Sequence, residues 1–193
     1  MTEQPVDIPG YIVGTWDIDP VHSHIGFIAR HLMVSKVRGN FTKFEGQIVT
    51  AANPLESSAM VTVDTSSLDT GNEARDNDVN GESFLDVANH PTMTFQSTSV
   101  HRSGDDLIMT GDLTIKGITR LIELGIEVNG FGSDPYGGTR AGFTATYELY
   151  RSDYGITANT VLPTGGVVVS DDIQLVLDVE ASLRVPAAPC PGS

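Results

Sequence analysis

Positive charge and cysteine are both scarce in this sequence. Of 193 residues, 11 are Lys or Arg and 25 are Asp or Glu, so the formal net charge is −14. Nucleic acids bind clustered Lys and Arg, and anionic membranes attract basic segments, so this charge balance predicts neither as a partner. The single cysteine, Cys190, excludes an internal disulfide bond.

Long apolar stretches are also absent. No run of apolar residues approaches the roughly 20 that a transmembrane helix needs. Residues 1–9 are acidic and interrupted by prolines, whereas a secretory leader combines a basic start with an apolar run. We therefore expect a cytoplasmic protein with no stable insertion into a membrane.

Apolar and polar residues alternate through most of the chain. The alternation is clearest in residues 24–30, 59–64, 122–128, 143–149 and 173–183. A period of two is typical of a β-strand with one face towards a core and one face towards water. The sequence therefore predicts an all-β protein.

The connections between these segments favour an antiparallel meander. Glycine-containing turns at 103–105 and 116–119 join consecutive strands, and short hairpins force neighbouring strands to be antiparallel. The alternation changes register near Thr42-Lys43, which predicts a β-bulge that bends the sheet. About eight strands would then close into an up-and-down barrel of the lipocalin-like kind.

One segment interrupts the strand pattern. Residues 72–82 predict a short helix in a connection, with Thr70 or Asn72 as its N-cap. We see no internal repeat, so we expect one barrel domain at 14–184. An N-terminal extension, 1–13, would precede it, and a flexible proline-rich tail, 185–193, would follow it.

Six motifs occur in order between about Gly14 and Leu183. They occupy residues 17–27, 37–46, 75–76, 84–97, 111–119 and 150–156. Together they resemble the YceI-like family of lipocalin-like barrels that bind polyisoprenoids. The resemblance implies a barrel whose lumen takes an isoprenoid tail, often with a quinone or phosphate head group, as a carrier or store.

The dry face of the predicted strands would form the ligand site. A hydrocarbon chain gains roughly 0.8 kcal/mol for each CH₂ that it buries, so an apolar lumen suits it. We expect the tail to contact Phe27, Phe41, Phe95, Ile122, Leu124, Phe143, Tyr147, Leu175 and Leu177. The polar head would lie at one end, near His22, His24 and Arg151, with Arg38 and Arg75 as further cations for an anionic head.

Two alternatives stay open at this stage. His22 and His24 lie on one face of a strand and, with His31, could chelate zinc, which would suit a metal-assisted enzyme acting on an apolar substrate. No nucleophile elbow or phosphate-binding glycine loop is present, so we expect no catalytic residues, no bound metal and no cofactor beyond a bound lipid. A packed lumen would instead give a ligand-free, stress-related scaffold. Exposed strand edges would allow a homodimer.

Overall fold

The chain forms an antiparallel β-barrel with one α-helix in this computed structural model, which describes residues 7–32, 34–160, 163 and 168–185. The strands are β1 (Gly14–Ile18), β2 (His24–His31), β3 (Ser35–Phe41), β4 (Phe44–Thr50), β5 (Ser58–Asp64), β6 (Leu68–Asp69), β7 (Thr92–Ser103), β8 (Asp106–Ile115), β9 (Ile118–Ser133), β10 (Thr139–Tyr150) and β11 (Val169–Leu183). The helix α1 spans Glu73–Asn80.

Three pairs of short strands each act as one strand of the barrel. β1 and β2 both pair with β11, at successive positions along it. β4 then pairs with β1 while β3 pairs with β2, and β5 pairs with β4 while β6 pairs with β3. Counted in this way, eight strands follow one another up and down, and β11 closes the barrel onto the first of them. The predicted eight-stranded up-and-down barrel is confirmed.

Serine side chains replace the ladder hydrogen bonds that are lost where a strand is broken. Between β1 and β2, Ser23 Oγ donates to the Glu180 carbonyl (3.0 Å) and accepts from the Glu180 N–H (2.9 Å). Between β5 and β6, Ser67 Oγ accepts from the Lys43 N–H (3.0 Å). The irregularity expected at Thr42-Lys43 is therefore a break between two strands, not a bulge within one. These breaks let the strands bend, which closure of a small barrel requires.

The alternating strand directions place the connections at two ends of the barrel. We call one the helix end; it carries residues 32, 34, 70–91, 116–117 and 151–160. The other is the turn end; it carries the segment before β1 and residues 51–57, 104–105 and 134–138. The proline-rich tail beyond residue 185, with Cys190, lies outside the described residues.

The predicted short helix is confirmed as α1. Asn72 Oδ1 accepts from the Arg75 N–H (3.0 Å), so Asn72 is the N-cap and satisfies one of the free donors of the first turn. Across the described part of the chain, no helix has the length and apolar character needed to cross a bilayer.

A buried tryptophan forms the centre of a small core at the turn end. Trp16 is 0% exposed and packs with Ala141 and Ala181, which are also fully buried. Its indole Nε1–H donates to Thr50 Oγ1 (2.8 Å), which also accepts from the Gly14 N–H (3.0 Å). The Thr50 hydroxyl in turn donates to the carbonyl of residue 12 (2.7 Å). One hydroxyl thus connects β1, β4 and the segment that precedes β1.

We expect Thr50→Val to lower the free energy of unfolding by about 2 kcal/mol, because the buried indole N–H loses its acceptor. Urea denaturation followed by the fluorescence of the single tryptophan measures this loss. Thr146→Val, at an exposed position on β10, is the matched control and should change stability by less than about 0.5 kcal/mol. Equal losses in both variants would contradict the proposed role of Thr50.

Candidate functional site: a cavity in the barrel lumen

The lumen is open and not filled by side chains. A larger cavity of about 480 Å³ occupies the half towards the helix end. A smaller cavity of about 130 Å³ occupies the half towards the turn end. The two cavities share the lining residues Val61, Phe95, Leu124, Leu177 and Val179.

Two phenylalanines shape the lumen by lying over glycines. A Cβ on Gly39 would lie 2.5 Å from the Phe27 ring, and a Cβ on Gly111 would lie 2.5 Å from the Phe95 ring. Both distances are too short for any other residue at these glycines, so the rings can lie flat against the wall. Phe95 lines both cavities and therefore lies at the boundary between them.

Polar groups in the larger cavity come mainly from the helix end. The charged and polar residues that border it are Arg30, His31, Thr70, Arg75, Asp78, Thr94, Arg151 and Tyr154. The rest of its wall is overwhelmingly apolar. The cavity is therefore amphipathic along its length, with a polar end and an apolar interior.

Arg151 is a buried cation at this polar end. It follows β10 and is 6% exposed. Its Nε donates to the Ser170 carbonyl (3.0 Å), and Nη1 donates to the carbonyls of Ile156 (2.9 Å) and Ala158 (2.8 Å). Burial lowers the pKa of Arg151, and the Asp171 carboxylate partly opposes this effect.

The third nitrogen of Arg151 has a different environment. Within the described residues, Nη2 makes no hydrogen bond, although the side chain lines the larger cavity. The Arg151 guanidinium also lies 6.0 Å from the centre of the Phe84 ring. Arg151 therefore retains hydrogen-bonding capacity for a group inside the cavity.

Tyr154 adds a neutral hydroxyl to the same region. It is 2% exposed and lines the larger cavity. Burial, with smaller contributions from Tyr147 and Asp153, raises the pKa of Tyr154 to about 12. The phenol therefore stays protonated at neutral pH and can donate a hydrogen bond.

The structure brings most of the predicted tail-binding residues together. Lining the larger cavity are Phe27, Phe41, Phe95, Ile122, Leu124, Leu175 and Leu177. Phe143 lines the smaller cavity, whereas Tyr147 packs against the core and lines neither. Contact of these side chains with a ligand stays a prediction.

The predicted grouping of His22, His24 and Arg151 at one end is wrong. His24 pairs with Asp178 on β11, several residues away from the Ser170 carbonyl that Arg151 binds. His24 is exposed and its ring lies over Gly26, and neither His22 nor His24 lines a cavity. The error arose because the sequence did not show which end of β2 lies at the helix end. His22 and His24 precede or begin this strand, and it is the end of the strand, at His31, that lies near Arg151.

His22 belongs to a network of charged groups on the outer surface. Its Nδ1 lies 2.9 Å from Asp19 Oδ2, and Arg140 Nη1 donates to the same oxygen at 2.6 Å. Arg140 also bonds to Asp134 Oδ2 (3.0 Å) and approaches Glu180 Oε1 (3.5 Å). Hydrogen bonds from His22 first, and then from Arg140, hold the pKa of Asp19 well below its usual range.

This network bears on the alternative of a zinc site at His22 and His24. Among the described residues, Asp19, His22 and Glu180 have ligand atoms close enough together to share an ion, and His24 is not one of them. The Arg140 guanidinium already bonds to Asp19 and approaches Glu180. A cation would have to displace this arginine, so the geometry favours an ion-pair network over the alternative of a histidine chelate.

Several lining residues were missed from the sequence. Leu113 and Ile115 follow the same alternation as the predicted set and could have been found from it. Val79, Phe84 and Leu85 come from α1 and the loop after it, where no strand periodicity applies. Of the two further cations considered, Arg75 lines the cavity and Arg38 does not.

These features define a class of protein: a closed antiparallel barrel with an amphipathic internal cavity. The profile of the YceI-like domain matches residues 16–181. Protein YceI of Salmonella newport is 36% identical over 165 residues, covering 85% of this chain and 83% of the relative, and the YceI protein of Salmonella arizonae matches equally. The chain belongs to the YceI-like family.

Solved structures show the same fold. BcnA of Burkholderia cenocepacia matches with a TM-score of 0.74 at 24% identity, covering 84% of this chain and 98% of BcnA. The YceI protein of Campylobacter jejuni matches with a TM-score of 0.69 at 30% identity, covering 81% and 90%. A polyisoprenoid-binding domain from Saccharophagus degradans matches with a TM-score of 0.68 at 15% identity, covering 90% and 100%.

We expect Asp19→Asn to lower the free energy of unfolding at neutral pH, because the carboxylate that pairs with His22 and Arg140 is lost. The loss should be only about 1 kcal/mol, since the network lies at the surface and solvent screens it. The pKa of this carboxyl is depressed in the folded state, so its stabilising effect is present above the ordinary carboxyl pKa of about 3.9. It is lost as the pH falls further.

The difference between the parent protein and Asp19→Asn should therefore shrink below pH ~4. Urea denaturation at a series of pH values measures it. Asp105→Asn, at an exposed turn, removes the same charge and should cost less than about 0.5 kcal/mol. A difference for Asp19→Asn that does not change with pH would show that the ion pairs contribute nothing.

We expect Arg151→Met to cost about 3 kcal/mol of unfolding free energy, because three carbonyl oxygens lose their donors. Chemical denaturation measures this cost. Arg120→Met is the matched control, since Arg120 is exposed and donates to one carbonyl, that of Asp153. If both variants lost equal stability, Arg151 would not be the anchor that its contacts indicate.

Proposed function

We propose that this protein binds an isoprenoid or a similar long-chain lipid in the barrel lumen, as a carrier or store. The observation that supports this most strongly is the open apolar lumen, with its 480 Å³ cavity and its polar groups gathered at one end. A binding protein of this kind needs no catalytic constellation. We therefore propose a non-enzymatic role.

The apolar interior favours a hydrocarbon tail over a polar ligand. Each CH₂ group transferred from water gains roughly 0.8 kcal/mol. A cavity without an occupant also forfeits dispersion contacts along its whole wall, and a bound chain would restore them. The second cavity beyond Phe95 continues the apolar lumen along the barrel, which suits an elongated chain better than a compact molecule.

The polar head of the ligand would lie at the helix end. Arg151 and Tyr154 line the cavity and carry hydrogen-bond donors, and Arg75 adds a second cation. Arg75 is itself held by Thr70, through Nε to Oγ1 (2.8 Å) and Nη2 to the carbonyl (2.9 Å). Asp78 also lines this end, but the two arginines outnumber it, and their donors suit a head with acceptor oxygens, such as a quinone carbonyl or a phosphate.

The relatives are consistent with this proposal. The Saccharophagus degradans domain that shares the fold is described as polyisoprenoid-binding. The YceI-like family match covers the strands that build the lumen. The identity of the lipid, its recipient, a cytoplasmic location and a homodimer all stay predictions.

Luminal and outer substitutions on one strand test the proposal. Ala29 lines the larger cavity, whereas Ile28, the preceding residue on β2, does not line either cavity. Organic extraction and native mass spectrometry of the purified parent should reveal a co-purifying lipid. Ala29→Phe should lose most of that lipid, because the ring would fill the lumen, and Ile28→Phe should keep it.

Thermal unfolding with added geranylgeraniol gives an independent measurement. A ligand at a hundred times its Kd stabilises a protein by about 2.7 kcal/mol, and Ala29→Phe should lose this stabilisation. A parent protein that is repeatedly ligand-free and unaffected by geranylgeraniol would support the ligand-free scaffold. Recovery of a chemically altered prenol would support an enzyme.

A further inference from the structure

The β2–β3 hairpin carries a local excess of positive charge. Three of the eleven basic residues lie within residues 24–41, and residues 20–44 contain no Asp or Glu. The chain as a whole has a net charge of −14. Interactions between exposed charges are screened beyond about 8 Å at physiological salt, so a ligand that touches the hairpin experiences the hairpin's own charge.

The cations of the hairpin are placed side by side without counter-ions. Arg30 on β2 is directly opposite Lys36 on β3, and Arg38 is directly opposite Ile28. Arg30, Lys36 and Arg38 therefore lie on one outer face, and all three are exposed. Within the described chain, no carboxylate forms an ion pair with any of them.

This arrangement is unfavourable for the barrel alone. Like charges directly opposite each other destabilise an antiparallel pair. Elsewhere on the surface, Arg140 and Arg184 pair with carboxylates. The unpaired set on the hairpin therefore indicates an external anionic partner.

The tip of the same hairpin is apolar and exposed. Leu32 is 38% exposed and Val34 is 85% exposed. Leu32 has a φ of 53°, a left-handed conformation that is uncommon for a residue with a bulky side chain. Its N–H donates to the Val168 carbonyl (2.8 Å), so the tip is held to the start of β11.

The hairpin also borders the larger cavity. Ala29, Arg30, His31 and Val37 line that cavity, as do Val168 and Val169 beside the tip. A surface that contacts the hairpin is therefore next to the polar end of the lumen.

We propose that the β2–β3 hairpin docks the barrel reversibly onto an anionic lipid bilayer. Leu32 and Val34 enter the interface between head groups and acyl chains, and Arg30, Lys36 and Arg38 bind the anionic head groups. Exposed apolar side chains next to clustered cations are the pattern of peripheral membrane binding. A soluble polyanion or a nucleic acid would use the cations and leave the apolar tip in water.

The helix α1 restricts the contact to one side of the helix end. Its Glu73 and Asp78 are exposed or half-exposed carboxylates that a negative surface repels. The bound orientation therefore turns the hairpin towards the bilayer and α1 away from it. Net repulsion by the acidic chain makes the docking weak and reversible.

Co-sedimentation of the intact protein with vesicles tests this proposal. Vesicles of equimolar phosphatidylcholine and phosphatidylserine should bind the protein, and vesicles of phosphatidylcholine alone should bind it much more weakly. Lys36→Glu with Arg38→Glu should weaken the binding about 30-fold or more, since each basic residue near such a surface contributes about a factor of five. Val34→Ser should weaken it by about tenfold.

The matched control is Arg102→Glu with Arg184→Glu, which makes the same change in net charge at the turn end. This control should bind vesicles like the parent protein. Equal binding to both kinds of vesicle, or an equal loss in the control, would overturn the proposal. A loss in the charge variant with none in Val34→Ser would assign the hairpin to a soluble polyanion instead.

The measurement is independent of the luminal ligand. No prenol is added, and the substituted residues Val34, Lys36 and Arg38 lie outside both cavities. Docking can therefore fail while lipid extraction succeeds, and the reverse is equally possible. Circular dichroism and the urea midpoint of each variant establish that it is folded before binding is compared.

Discussion

Closure of the sheet is the constraint on which the rest of this structure depends. Eight strands meet only if they bend, and here the first three barrel strands are each broken into two. β1 and β2 use successive parts of β11 for this closure. Ser23 and Ser67 supply hydrogen bonds at the breaks, so that bending does not leave backbone groups unsatisfied.

Closure creates an interior that the side chains of this chain do not fill. Alternate residues of every strand point inward, but Phe27 and Phe95 lie against glycines and leave space along the barrel. The result is an apolar lumen with two neighbouring cavities that share lining residues. An unfilled apolar lumen forfeits packing, and this loss is what favours the uptake of a hydrocarbon.

The arginines of this barrel fall into three environments with different consequences. Arg140 is surrounded by Asp19, Asp134 and Glu180, and this network stabilises the surface of the fold. Arg151 is buried, binds three carbonyls and lines the larger cavity. The hairpin cations are exposed, and none of them has a carboxylate partner among the residues that the structure describes. Net charge predicted repulsion of membranes, whereas the placement of individual charges predicts local attraction.

The family resemblance and the strand periodicity together predicted the barrel. The alternation indicated which residues face a core, because a strand's side chains point to opposite faces in turn. The sequence also predicted Asn72 as one of two candidates for the N-cap, since a cap depends on a hydrogen bond to a residue three positions away. These are local properties, or properties shared by the whole family.

The tertiary structure alone decided which residues lie at each end of the barrel. The sequence placed His22, His24 and Arg151 together, but the register of β2 on β11 separates them. The contributions of α1 and its loop to the cavity depend on packing between segments far apart in the chain. The sequence by itself determined which side chains are apolar and how they alternate. Whether they leave an open lumen depends on strand breaks and ring orientations, which arise only when distant strands meet.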